Sequence, residues 1–108
     1  MAELRVVVVE PMLEPELRHI PDTLKSMQDV VGGLIDVVHV KDNIDLVCND
    51  EGLLLDMPPN RLINNRVLIA GPFFLVGANV ETGDFVSLTL EQAEEMMKVF
   101  SSLIVEVT

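Results

Sequence analysis

The sequence predicts an α+β fold: a mixed, mainly antiparallel sheet with two helices packed on it. Three observations predict it. Short runs rich in Val, Ile, Leu and Phe outnumber the helical patterns, and the polar turns between them are short enough to close hairpins. The order ββ-α-ββ-loop-βββ-α, with a strand-like tail, also departs from the strict βαβα alternation of doubly wound folds. No repeat or linker divides the 108 residues, so a single domain over 1–108 is expected.

Residues 4–9 (LRVVVV) are mostly β-branched and too short for a typical helix. A continuous apolar strand is usually buried on both faces, which places this one inside the sheet. Pro11 and Pro15 bound a loop, and 16–20 (ELRHI) alternates as a half-exposed strand does. Asp22 is the expected N-cap of a helix over 23–31, in which Leu24, Met27 and Val31 share a face and Gly32-Gly33 supplies the stop. Runs 34–40 (LIDVVHV) and 44–48 (IDLVC) flank Lys41-Asp42-Asn43 and read as a hairpin, followed by a turn at 49–52. The stretch 53–65 (LLLDMPPNRLINN) reads as irregular, because Pro58-Pro59 forbids a helix interior and pushes Met57 to extended geometry. Strands are expected at 67–70 (VLIA), 73–78 (FFLVGA) and 85–88, the last two joined through a turn at 81–84. Thr89 and Gln92 fit a capping box at the start of a helix over 90–101. Its inner face carries Leu90, Ala93, Met97 and Phe100 with Met96 at the border, and its outer face Glu91, Glu94 and Glu95. The tail 103–107 (LIVEV) has strand propensity.

Composition narrows the function. Hydrophobic residues make up 49% of the chain and mean hydropathy is +0.39, which excludes a disordered acidic tail. Seven Lys+Arg stand against 18 Asp+Glu, a net charge of −11, so no direct nucleic-acid binding and no docking on an anionic membrane is expected. Cys48 is the one cysteine, leaving no internal disulfide and no cysteine cluster for zinc. No apolar run approaches the roughly 20 residues that span a bilayer, and 1–10 lacks the features of a signal peptide. The expectation is a reduced, cytoplasmic protein that needs no cofactor. Two helices and one sheet layer would leave a sheet face bare, and Met57, Phe73, Phe74 and the tail carry much apolar area. A homo-oligomer that covers this face is therefore expected.

Six stretches, in order, resemble one family: VVVVEP (6–11), DTLKSMQDVVGGLIDVV (22–38), CNDEG (48–52), PPNR (58–61), IAGPFFLVG (69–77) and SLTLEQ (87–92). It is a family of small proteins from phages, prophages and conjugative elements, classed as a domain of unknown function. The chain departs from the pattern by a short turn between Arg61 and Val67. The resemblance implies a compact domain encoded on a mobile element, with no established activity to carry over and a host protein as a plausible partner.

The residues themselves offer four candidate sites. Asn49, Asn60 and Arg61 stand in or beside irregular segments, with Gly71 permitting close backbone approach. Together they would bind a small anionic, nucleotide-like ligand through the Arg61 fork. The structural alternative has Asn49 capping a turn and Arg61 pairing with Asp56 to pin the proline loop. His19 and His39 would need to converge with Asp36 or Asp45 to hold a metal, and a polar outward role suits them better. Cys48 reads as a small core residue, although His39 facing it across the hairpin would offer a base. An enzyme is the weakest reading, since no catalytic motif is present. The leading expectation is an accessory protein whose acidic surface engages another protein.

Overall fold

The computed structural model describes residues 2–107. In chain order it runs β1 (Glu3–Val9), β2 (Glu16–Pro21), α1 (Leu24–Val31), β3 (Ile35–Lys41), β4 (Ile44–Asn49), β5 (Pro59–Ile63) and β6 (Val67–Ala70). There follow β7 (Phe73–Ala78), β8 (Phe85–Val86), α2 (Leu90–Val99) and β9 (Ile104–Val105). The main sheet has the order β2-β1-β7-β4-β3, with β8 pairing β7, and every pairing in it is antiparallel. The fold is α+β with two helices, as the patterning predicts.

Period-two packing explains the apolar runs. In β1, Leu4, Val6 and Val8 join one core while Val7 and Val9 join another. The central β7 divides the same way, Phe74 and Val76 from Phe73 and Leu75. Each core has its own lid. Met27 and Val31 of α1 close the first, whereas Ala93 and Met96 of α2, with Phe100 just beyond it, close the second. Phe73 and Phe100 meet edge to face with centroids 5.6 Å apart.

This arrangement corrects the expectation of a bare sheet face. The second core is completed by a small sheet of order β6-β5-β9, which contributes Ile63, Ile69 and Val105. Phe73 and Phe74 are wholly buried within the chain, and the tail pairs its β9 in parallel with β5. The stretch expected to be irregular therefore contains β5. Proline is tolerated at the first residue of a strand, where Pro59 sits, and the register shift between Pro59 and Arg61 absorbs the distortion.

Smaller corrections concern the ends of elements. Thr23, not Asp22, caps α1, accepting a hydrogen bond from the Ser26 amide at 3.1 Å. Asp22 lies just past the end of β2, where its amide donates to the Ala2 carbonyl and extends the bonding to β1 by one step. The capping box of α2 forms as expected, while the helix ends at Val99 instead of 101. Strand β8 stops at Val86 because Ser87 and Leu88 turn to bond Arg5 on their way into the Thr89 cap.

Candidate functional site

Three of the four residues proposed for an anion site meet at the start of β5. Asn60 donates both amide hydrogens, to the carbonyls of Val9 and Gly71, each at 2.9 Å. Its Oδ1 accepts from Arg61 Nη1 at 2.8 Å. Arg61 is 2% exposed and directs its remaining bonds to backbone carbonyls: Nε to Phe100 at 3.0 Å, Nη1 to Asn60 at 3.2 Å and Nη2 to Leu13 at 2.9 Å. Phe100 caps the C-terminal end of α2, where free carbonyls carry partial negative charge and suit a cation. Burial lowers the guanidinium pKa from its ordinary value, and nearby Glu14 opposes the shift. Arginine stays protonated under such a change. Among the described residues, no carboxylate lies within ion-pair distance of Arg61, so the expected pair with Asp56 does not form.

Gly71 contributes shape. Its φ of 83° lies in the left-handed region, and an added Cβ would stand 2.7 Å from Met57 Sδ. The Met57 side chain thus packs against the β6–β7 turn. Asn49 lies apart from the Asn60–Arg61 bonds. Its Nδ2 donates to the Val31 carbonyl at the end of α1 at 3.1 Å, and its Oδ1 accepts from the Glu51 amide at 2.7 Å. That is the turn-capping role, extended to a helix end. No buried side-chain polar atom among the described residues lacks a partner.

The other candidates separate in space. His19 lies on β2 and His39 on β3, the two edges of the main sheet. Four strand spacings part them, roughly 19 Å at about 4.8 Å each, so the two cannot share a metal. Among the described residues no group of three His, Cys, Asp or Glu is placed to hold one. The hairpin register sets Asp36 opposite Cys48 and His39 opposite Asp45, so His39 does not face the thiol. His39 Nδ1 instead lies 3.1 Å from Asp45 Oδ1. Burial, with the charges of Asp36 and Asp50 adding, pushes the Cys48 thiol up to about 11, the opposite of nucleophilic activation.

Two surface features escaped the sequence reading. The first is a groove of about 410 Å³ between the main sheet and β6. Cys48, Ile69 and Ala70 form its buried side, the exposed Leu53 and Leu54 project beside it, and Asp36, Asp50 and Glu51 rim it. The triple leucine at 53–55, inside a loop of a strongly acidic chain, was the available signal. The second is an apolar row across the small sheet. Leu68, Leu62 and Ile104 are aligned by strand register, with Met12 and Leu103 beside them.

Charge is distributed unevenly. Lys and Arg pair with Glu10, Glu16, Asp29 and Glu95 among the described residues, leaving most of the 18 carboxylates without a cation. On α2, Glu95 is held by Lys41 at 3.1 Å, while Glu91 and Glu94 are exposed and have no ion-pair partner among the described residues. No described helix is long and apolar enough to cross a membrane.

A family model for a domain of unknown function, DUF3846, matches residues 4–101. The chain belongs to the DUF3846 family. The match spans the DUF3846 domain from β1 through α2 and therefore includes the Asn60–Arg61 brace and the acid-rimmed groove. No curated protein and no solved structure matches the chain.

Proposed function

We propose that this domain is a cytoplasmic accessory protein of a phage or other mobile element that works by holding another protein against its acidic surface. One observation carries the reading: Arg61, one of only seven cations, is buried on carbonyls. The surface is consequently more negative than the formal −11 indicates. Exposed carboxylates without cation partners favour a basic partner and speed its approach. The same burial leaves the Arg61 fork bonded inside the fold and not offered to an anion. The resemblance to proteins of mobile elements supports a host protein as that partner, and the lone reduced Cys48 suits a cytoplasmic setting.

Self-association is the second part of the proposal. Among the described residues, the row through Leu68, Leu62 and Ile104 is lined by no carboxylate, and Met12 beside it is 83% exposed. Two chains of like charge repel least there, and an isologous contact would cover it. Light scattering at micromolar concentration should give a dimer, and a monomer would refute this part.

Capture from host extract on the immobilised domain, at low and then high ionic strength, tests the main reading. The expected result is a basic partner, identified by mass spectrometry, that salt releases. A partner without a basic surface, or one unaffected by salt, would refute it.

A further inference from the structure

We infer that the groove between the main sheet and β6 takes an extended segment of the partner, with an apolar side chain flanked by Lys or Arg. The inference rests on the acidic-surface reading and assigns it a place. The buried residues that line the groove are mostly apolar, with Cys48, Ile69 and Ala70 beside Asn49, and its volume of about 410 Å³ is in the range of pockets that enclose a ligand. Leu54 stands 82% exposed beside it, an apolar side chain that the described residues leave mostly uncovered. Its rim is uniformly acidic: Asp36, Asp50 and Glu51 have no Lys or Arg within ion-pair distance among the described residues. An apolar floor under a negative rim is complementary to an apolar anchor with positive neighbours. A second copy of this chain is a poor occupant, because it would bring its own acidic surface to that rim.

The groove is also held open before binding. Asn49 ties the Glu51 amide to the end of α1, and the Met57 amide donates to the Gly52 carbonyl at 3.0 Å. Gly52 packs so closely on the Ala70 carbonyl that an added Cβ would lie 2.5 Å from it. A loop fixed at these points does not have to be ordered by the ligand. The occupant is extended because β6 is the edge of its sheet, paired with β5 alone, and all four of its residues line the groove. Side chains of a strand alternate between faces, so a groove touching every residue runs along the strand's edge, where a further strand can add.

Selection of a random peptide display library on the intact domain tests this, followed by fluorescence anisotropy with the enriched peptides. The expected peptides carry an apolar residue flanked by Lys or Arg. L54S should weaken them about tenfold or more, as loss of a buried leucine contact implies. D50N/E51Q should weaken them about threefold and flatten the salt dependence. Leu54 is solvent-exposed, so L54S folds, and circular dichroism verifies it. Enriched peptides lacking basic residues, peptides bound equally by L54S, or no enrichment would each overturn the groove. Basic peptides that depend on Glu91 and Glu94 instead (E91Q/E94Q) would also overturn it, while leaving the acidic-surface reading standing.

Discussion

Replacing Arg61 with alanine removes a cation and should cost the domain a large part of its stability. The magnitude follows from the bonds lost. Four acceptors, the carbonyls of Phe100, Leu13 and Asn60 and the Asn60 Oδ1, lose their donor inside the fold. At about 1 kcal/mol for each acceptor left unsatisfied, and with a cavity that water or collapse partly fills, the loss is about 3–5 kcal/mol. A domain of this size is stable by roughly 5–15 kcal/mol, so the variant should remain measurable in the cold. R61K keeps the charge but replaces the planar fork by a compact ammonium, and should recover only part of the loss. Urea unfolding followed by far-ultraviolet circular dichroism gives both values, provided the slope with denaturant is unchanged. A loss below about 1 kcal/mol for R61A, the scale of an exposed side chain, would refute the bracing role and return Arg61 to the candidates for ligand contact.

Three further outcomes check the packing and the electrostatics. G71A should destabilise by about 2–3 kcal/mol, because a Cβ there meets both positive φ and Met57, whereas G83A, equally left-handed but with open space around it, should cost about 1 kcal/mol. Thermal or urea unfolding of the pair separates the steric part from the backbone part. T89A should lose about 1 kcal/mol through the capping box, read in the same assay. Cys48 gives a pH signature. Its thiol ionises near 9.0 in the unfolded chain and near 11 in the fold, so above pH 9 the folded state holds the extra proton and stability falls as pH rises toward 11. Wild type should therefore lose more than C48A across that window, and alkylation of the native thiol at pH 8 should be slow. Equal pH profiles would show that Cys48 is not held in the low-dielectric site.

The long strands were legible because β1, β4 and β7 each carry an unbroken apolar run, Val6–Val9, 46–48 and 73–76, that a strand buried on both faces explains. The α2 start was equally legible, since Thr89 and Gln92 state their own hydrogen bonds. Strand β5 was not. Its sequence, PNRLI, has two polar residues at positions that prove buried, and only their partners, Val9, Gly71, Leu13 and Phe100, supply the reason. Those partners lie up to 51 residues away in the chain, beyond the reach of any local pattern. Missing β5 had a consequence, for without the small sheet the second core was closed by α2 alone and Phe73 was left available to a dimer. The candidate residues were half legible. Asn60, Arg61 and Gly71 do come together, but a rare polar cluster in an apolar chain marks buried architecture as readily as a ligand site. The acid-rimmed groove joins residues from three separate segments, 36–38, 48–54 and 67–70, and only the exposed leucines at 53–55 hinted at it.

The most direct test of the account is native mass spectrometry of the protein purified from its own host at low ionic strength. The account predicts a chain bound to a second protein, or to a second copy of itself, with no small molecule retained. A nucleotide or other small anion bound at one per chain would contradict it, and would mean that the Asn60–Arg61 network opens to ligand.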